Sequence, residues 1–176
     1  MRSPLSLALA ALLLVGCVST TTETVTSAVQ VRVSGSPASQ PPQRHLAVVT
    51  SVVDGDTAHV QYHGRDVTIR FIGVDTPETV APGQPVECYG PEASAFATRQ
   101  LSGRRIRLEF DVDRIDPFGR TLAYLWMPDG SMFNETLVRR GYATVATYPP
   151  DTKYVEEFEA AERVASSAAR GLWGAC

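Results

Sequence analysis

Three short runs of alternating or β-branched residues, cut apart by turn dipeptides, constrain this chain more than any other feature. Leu46 to Val53 is rich in Val and stops at Asp54-Gly55. Thr57 to Tyr62 sets Ala58, Val60 and Tyr62 against His59 and Gln61 and stops at His63-Gly64; Val67 to Val74 is again strand-like. A period of two marks a strand with one buried face, and turns this tight join antiparallel neighbours. The runs therefore predict a three-strand meander. A helix follows: Pro91 suits its first position, Glu92 its positive end, and Ala93, Phe96, Ala97 and Leu101 share one face before Ser102-Gly103. Arg105 to Phe110 and Thr121 to Met127 supply two more strands. A short helix near Asn134 to Arg140 stops at Gly141, and a last one opens near Asp151. Its apolar stripe runs Tyr154, Phe158, Ala161, Ala165, Ala168, Leu172, with Gly171 closing it. The order βββ-α-ββ-α-α predicts an α+β fold, a five-stranded OB-type Greek-key barrel with three helices. Such a barrel serves many functions and names none.

The N-terminal stretch does not belong to that barrel. In residues 1–16, Arg2 precedes an apolar run from Leu5 to Val15. At about 1.5 Å per residue the run is too short for a bilayer core of about 30 Å, and it reads as a secretory signal. Leu14-Val15-Gly16-Cys17 resembles a bacterial lipobox, which implies lipid on Cys17; an ordinary signal cleaved nearby is the plainer alternative. Residues 17–44 are rich in Ser, Thr, Pro and Gln and bury too little to offset their ordering entropy. They read as a flexible tether of about 30 Å root-mean-square span, leaving 45–176 as the folded domain. The expected location is outside the cytoplasm, anchored by lipid to the outer face of the cell membrane, with release from the cell as the alternative. With Cys17 lipidated, Cys88 and Cys176 remain as one disulfide pair, the alternative being two unpaired thiols.

Charge narrows the function classes. Three of the 16 basic residues and one of the 19 acids precede residue 45, which leaves the domain 13 against 18, a net of −5. Tight non-specific nucleic-acid binders draw their affinity from a basic excess. The sign here argues against such a module and is compatible with an enzyme working through a local, metal-assisted site.

Residues 70–78 read Arg-Phe-Ile-Gly-Val-Asp-Thr-Pro-Glu. Arg70 shares parity with Ile72 and Val74 inside an apolar strand, where an unpaired charge is costly, so it should face a cleft or an edge. Asp75 to Glu78 and Asp54-Gly55-Asp56 are each ordinary turns by themselves. In a meander, however, strand 3 ends at the first hairpin's turn, which puts Asp54 and Asp56 beside Asp75 and Glu78. Four carboxylates at one barrel rim repel unless a hard cation or an Arg offsets them. Asp116-Pro-Phe-Gly-Arg120 then brings a second Arg just before strand 5. Carboxylates for a cation, one for a water, and two guanidiniums for a phosphate make a phosphodiester-hydrolysis kit.

Five ordered stretches carry a family resemblance: Val53 to Thr57, Arg70 to Glu78, Tyr89 to Phe96, Phe118 to Tyr124, and Asn134 to Arg139 followed by Gly141. Together they are similar to the staphylococcal nuclease family. The resemblance implies Ca²⁺ held by the carboxylates of Asp56 and Asp75 and the carbonyl of Thr76, with waters completing the shell. It implies that Glu78 handles the attacking water and that Arg70 and Arg120 clamp the phosphate. Tyr148 and Tyr89 would bind substrate, single-stranded or frayed DNA and RNA, cut to leave 3′-phosphate ends, by a monomer. Pro117-Phe118 departs from the family's Lys-Tyr before Gly119 and removes a charge and a hydroxyl. A non-catalytic nucleic-acid-binding OB-type module of an envelope lipoprotein is the alternative from another class; the presence of all five acids and arginines favours the enzyme.

Overall fold

The computed structural model describes residues 43–79, 83 and 85–176. The signal segment, Cys17 and the tether before residue 43 lie outside them. Arg44, counted with the tether on composition, is the first residue of β1 (Arg44–Val52). β2 (Thr57–Tyr62) and β3 (Arg65–Phe71) complete the meander. After α1 (Gly90–Leu101), β5 (Arg105–Glu109) and β6 (Thr121–Trp126) close a barrel in the order β1-β2-β3-β6-β5. All neighbours are antiparallel except β3 and β6, which run parallel. α2 (Phe133–Arg139) and α3 (Val155–Ser167) pack outside. Val49, Ile69, Ile106, Leu108 and Leu125 are fully buried and belong to one continuous core with Phe96, Phe133 and Phe158.

Two elements were not anticipated. β4 (Gly73–Asp75) leaves the barrel and pairs with β7 (Thr144–Ala146) in a separate two-stranded sheet. The strand expected to run through Val74 breaks because Gly73 takes a φ of +78°, a left-handed conformation that glycine adopts freely. A Cβ at Gly73 would stand 2.5 Å from the Phe158 ring, so α3 packs directly on this kink. The buried Asn134 side chain secures it, donating to Ile72 O at 2.9 Å and accepting from Leu125 N at 2.9 Å. The effect is functional as well as structural: the kink turns Asp75 and Thr76 back toward the first hairpin.

The last helix also ends early. α3 stops at Ser167, Ala168 is its C-cap, and Leu172 falls in a separate turn, α4 (Leu172–Ala175). Backbone meets backbone at this point. A Cβ on Gly141 would lie 2.2 Å from Arg170 O, one on Gly171 would lie 2.1 Å from Gly141 O, and Leu172 N donates to Gly141 O at 2.9 Å. That crossing diverts the chain and sets the position of the C-terminal turn.

Glu109 fastens β1, β5 and the entry to α3. Its carboxylate is 1% exposed and accepts from Lys153 Nζ (2.5 Å), Tyr154 Oη (2.8 Å) and Arg44 Nε (3.4 Å). Burial by itself raises a carboxyl pKa, but the bonds from Lys153, Tyr154 and Arg44 outweigh it and hold Glu109 below its ordinary value. A folded-state pKa below the unfolded one stabilises above the usual carboxylate range, and that contribution is lost as pH falls through the lowered value. Lys153→Met is expected to lower stability at neutral pH by about 2 kcal/mol, less than for a fully buried pair because Lys153 is 40% exposed. Urea unfolding should show the deficit shrinking on acidification; a deficit unchanged in acid would point to lost packing instead of the ion pair.

Candidate active site

The first hairpin turn is built for a buried acid. Val53 N and Asp54 N both donate to Thr57 O, and Asp56 N donates to the Asp54 carboxylate, which curls the turn inward. Asp56, only 5% exposed, accepts from Thr57 Oγ1 (3.1 Å), Thr76 N (2.8 Å) and Thr76 Oγ1 (3.0 Å). Gly55 makes the approach possible: a Cβ there would sit 2.6 Å from the Thr76 side chain. The meander thus brings Asp56 and the 75–78 segment together, as the strand order requires.

Arg70 joins the acids. Its Nη1 donates to Val74 O (2.8 Å) and Phe71 O (3.1 Å) and lies 3.3 Å from Asp56 Oδ2, while Nη2 donates to Asp75 Oδ1 (2.8 Å). Even so, burial keeps Asp54 and Asp75 above their ordinary values. Burial and the neighbouring Asp56 push Asp54 up to about 6. Burial likewise raises Asp75, with Arg70 opposing and Asp56, Glu87 and Glu78 adding to the rise. Glu78 is therefore within electrostatic reach of Asp75. The 78–87 loop is closed by a main-chain bond from Glu87 N to Glu78 O and by Glu78 N donating to the Glu87 carboxylate, both 2.9 Å. The Glu78 carboxylate itself accepts from Thr79 N at 2.7 Å.

Arg120 is positioned from its own turn. Asp116 accepts from Phe118 N (2.9 Å), Arg120 N (2.8 Å) and Arg120 Nε (2.6 Å). Burial raises the Asp116 carboxyl, but the Arg120 and Phe118 bonds prevail and lower it, so it stays charged. Asp116 is a positioning residue, which the sequence marked only as the start of the stretch leading to Arg120. Its signal was there, since Asp-Pro-x-Gly is a strong turn pattern that aims the next side chain.

Arg70 and Arg120 line one cleft of about 460 Å³, together with Ile115, Phe118 and Tyr148. Phe118 is 83% exposed and Tyr148 72% exposed, so flat apolar faces stand beside the two guanidiniums. Asp75 and Thr76 line a neighbouring hollow of about 300 Å³ with Cys88 and Cys176. Arg70 bridges the two, lining the first and bonding an acid of the second. The Cys88–Cys176 disulfide is present, with Cα atoms 6.0 Å apart. Tyr89 is not brought to the cleft. It is the N-cap of α1, at φ 69°, and its ring stacks on Tyr142 with centroids 5.5 Å apart. Among the described residues no group of three or more His, Cys, Asp or Glu converges as a ready-made metal cage.

A closed OB-type barrel with two acids paired to one arginine, a loop carboxylate and two arginines lining one cleft is the layout of a phosphodiester-cleaving enzyme. Comparison with known proteins narrows this. Residues 68–175 match the family model described as "Staphylococcal nuclease homologue". The chain is 46% identical over 125 residues to a thermonuclease of Staphylococcus hyicus, covering 71% of this chain and 73% of that one. It is 44% identical over 126 residues to a thermonuclease of Staphylococcus intermedius, covering 72% and 74%. Endonuclease YncB of Bacillus subtilis (strain 168) is 42% identical over 135 residues, covering 74% and 64%. The chain belongs to the staphylococcal nuclease family, and is a nuclease of that type.

Proposed function

We propose that this protein hydrolyses DNA and RNA outside the cytoplasm in a Ca²⁺-dependent reaction that leaves 3′-phosphate ends. The observation that carries the reading is the double pairing of Arg70 with Asp56 and Asp75 at the edge of a cleft that also holds Arg120. The donor set suits the ion: all oxygen, with too few side-chain ligands to fill a shell of six to eight, so that waters and substrate complete it. Asp56, Asp75 and the Thr76 carbonyl are the residues that would hold it. Bound there, Ca²⁺ supplies charge neutralisation and polarises a phosphate oxygen.

The chain's own residues do the rest. Glu78 orients a water and takes its proton as the oxygen attacks phosphorus. Arg70 and Arg120 donate to the non-bridging oxygens, where charge builds as the 5′-oxygen departs. Ile115, Phe118 and Tyr148 offer apolar faces to unpaired bases, which favours single-stranded or frayed substrate. The enzyme acts as a monomer, lipid-anchored through Cys17 to the outer face of the cell membrane. Among the described residues no helix is long and apolar enough to cross a membrane. The mass of the mature N-terminus tests the anchor.

Digestion of single-stranded DNA with Ca²⁺ and with chelator tests the activity; equal cleavage in both, or none in either, would leave only a binding barrel. Gly55→Ala is expected to weaken Ca²⁺ binding about tenfold or more with the fold intact, since the new methyl must push Thr76 aside. Titration calorimetry reads this directly, and unchanged affinity would show that the hairpin does not set the ligand spacing.

A further inference from the structure

We propose that the outer wall formed by β1 and β5 is a docking surface for an anionic membrane. Register places Leu46 opposite Arg107 and Val48 opposite Arg105, with Trp126 beside Arg107 on β6. Leu46 is 63% exposed and Val48 36%, and both arginines are exposed. Neither Arg105 nor Arg107 has an ion pair among the described residues. Across β1, β5 and β6 the sole acid is Glu109, and Arg44 and Lys153 already neutralise it. A domain of net charge −5 therefore keeps one wall basic and apolar together.

Apolar side chains flanked by arginines match a surface of anionic headgroups over acyl chains. A nucleic acid fits this wall less well. The Trp126 ring on β6 already carries the Arg44 guanidinium 3.5 Å from its centroid, which occupies a face that a stacking base would need. Beyond β5 the chain reaches the cleft through Asp111, Asp113 and Asp116, which repel a polyanion passing from this wall to the catalytic arginines. β1 itself begins on this wall with a further basic residue, Arg44. The proposal rests on the lipid-anchor reading only for delivery to the membrane.

The test uses the full chain carrying Cys17→Ser, so that no lipid is attached, sedimented with vesicles of phosphatidylcholine alone or mixed with phosphatidylglycerol. Binding is expected to require the anionic lipid. Combined Arg105→Ser and Arg107→Ser should weaken it about thirtyfold, and Leu46→Ser several-fold, with oligonucleotide cleavage unchanged. Any contribution of residues 5–15 is common to parent and variants. Equal vesicle binding by parent and variants would overturn the proposal. So would variants that keep vesicle binding but lose affinity for duplex DNA, which would make the wall a nucleic-acid surface. The mass of the mature N-terminus judges the anchor independently of either result.

Discussion

Glu78→Gln is expected to lower kcat on single-stranded DNA about a thousandfold while KM changes little. General-base catalysis contributes roughly 10²–10⁴ in rate, and an amide has no basic oxygen near neutral pH. The substitution is isosteric. A Gln side chain still accepts from Thr79 N, and residue 78 meets Glu87 through its own main-chain N and O. The protein should therefore remain folded and bind Ca²⁺ nearly as before. The limb of the pH–rate profile that reports deprotonation of the base should disappear in the variant. Retained kcat with lowered stability would instead make Glu78 a loop fastener, and the attacking water would need another base.

Removing the disulfide, by reduction or by paired Cys88→Ala and Cys176→Ala, should lower unfolding free energy by about 4–5 kcal/mol. The chain-entropy argument gives this magnitude for a loop closed across 88 residues, and native-state strain would reduce it. In a domain of this size that corresponds to a drop in melting temperature of roughly 10–20 °C. Activity should suffer before the fold does. Cys88 adjoins Glu87, whose carboxylate and main chain both bond Glu78, and the disulfide shares a hollow with Asp75 and Thr76. Loosening residue 88 therefore loosens the proposed base. Denaturant curves and initial rates with and without reductant check both parts. A stability change under about 1 kcal/mol would mean that the reduced chain is already restrained by the Gly141–Gly171 crossing.

The parts of this molecule that could be read from its sequence are those whose causes are local. The first three strands declare themselves through period-two alternation and Gly turns, and their connectivity brings the end of β3 to the Asp56 turn, where Phe71 N donates to Asp56 O. The kink at Gly73 was hidden, because what demands it is Phe158 from α3 and the Asn134 side chain from α2. Arg70 was expected to share a face with Ile72 and Val74, but that parity ends where the chain leaves the barrel. β7 is three residues long and carries no period of its own. The stripe to Leu172 had the right spacing and the wrong extent, since backbone contact between distant glycines, not side-chain pattern, stops α3. Tyr89 shows the same limit: a position near a helix start says nothing of which aromatic partner will claim its ring.

The barrel is closed by its one parallel seam, three register pairs between β3 and β6, and the two cleft-lining arginines straddle it. Arg70 is opposite Leu122, and Arg120 immediately precedes Thr121. Parallel ladders are slightly weaker per residue than antiparallel ones. Local fraying there would part the two arginines while the rest of the sheet still held. Heat inactivation of this enzyme would then begin as an unzipping, reversible on cooling, and an engineer seeking a hardier variant would stitch this joint before touching the interior.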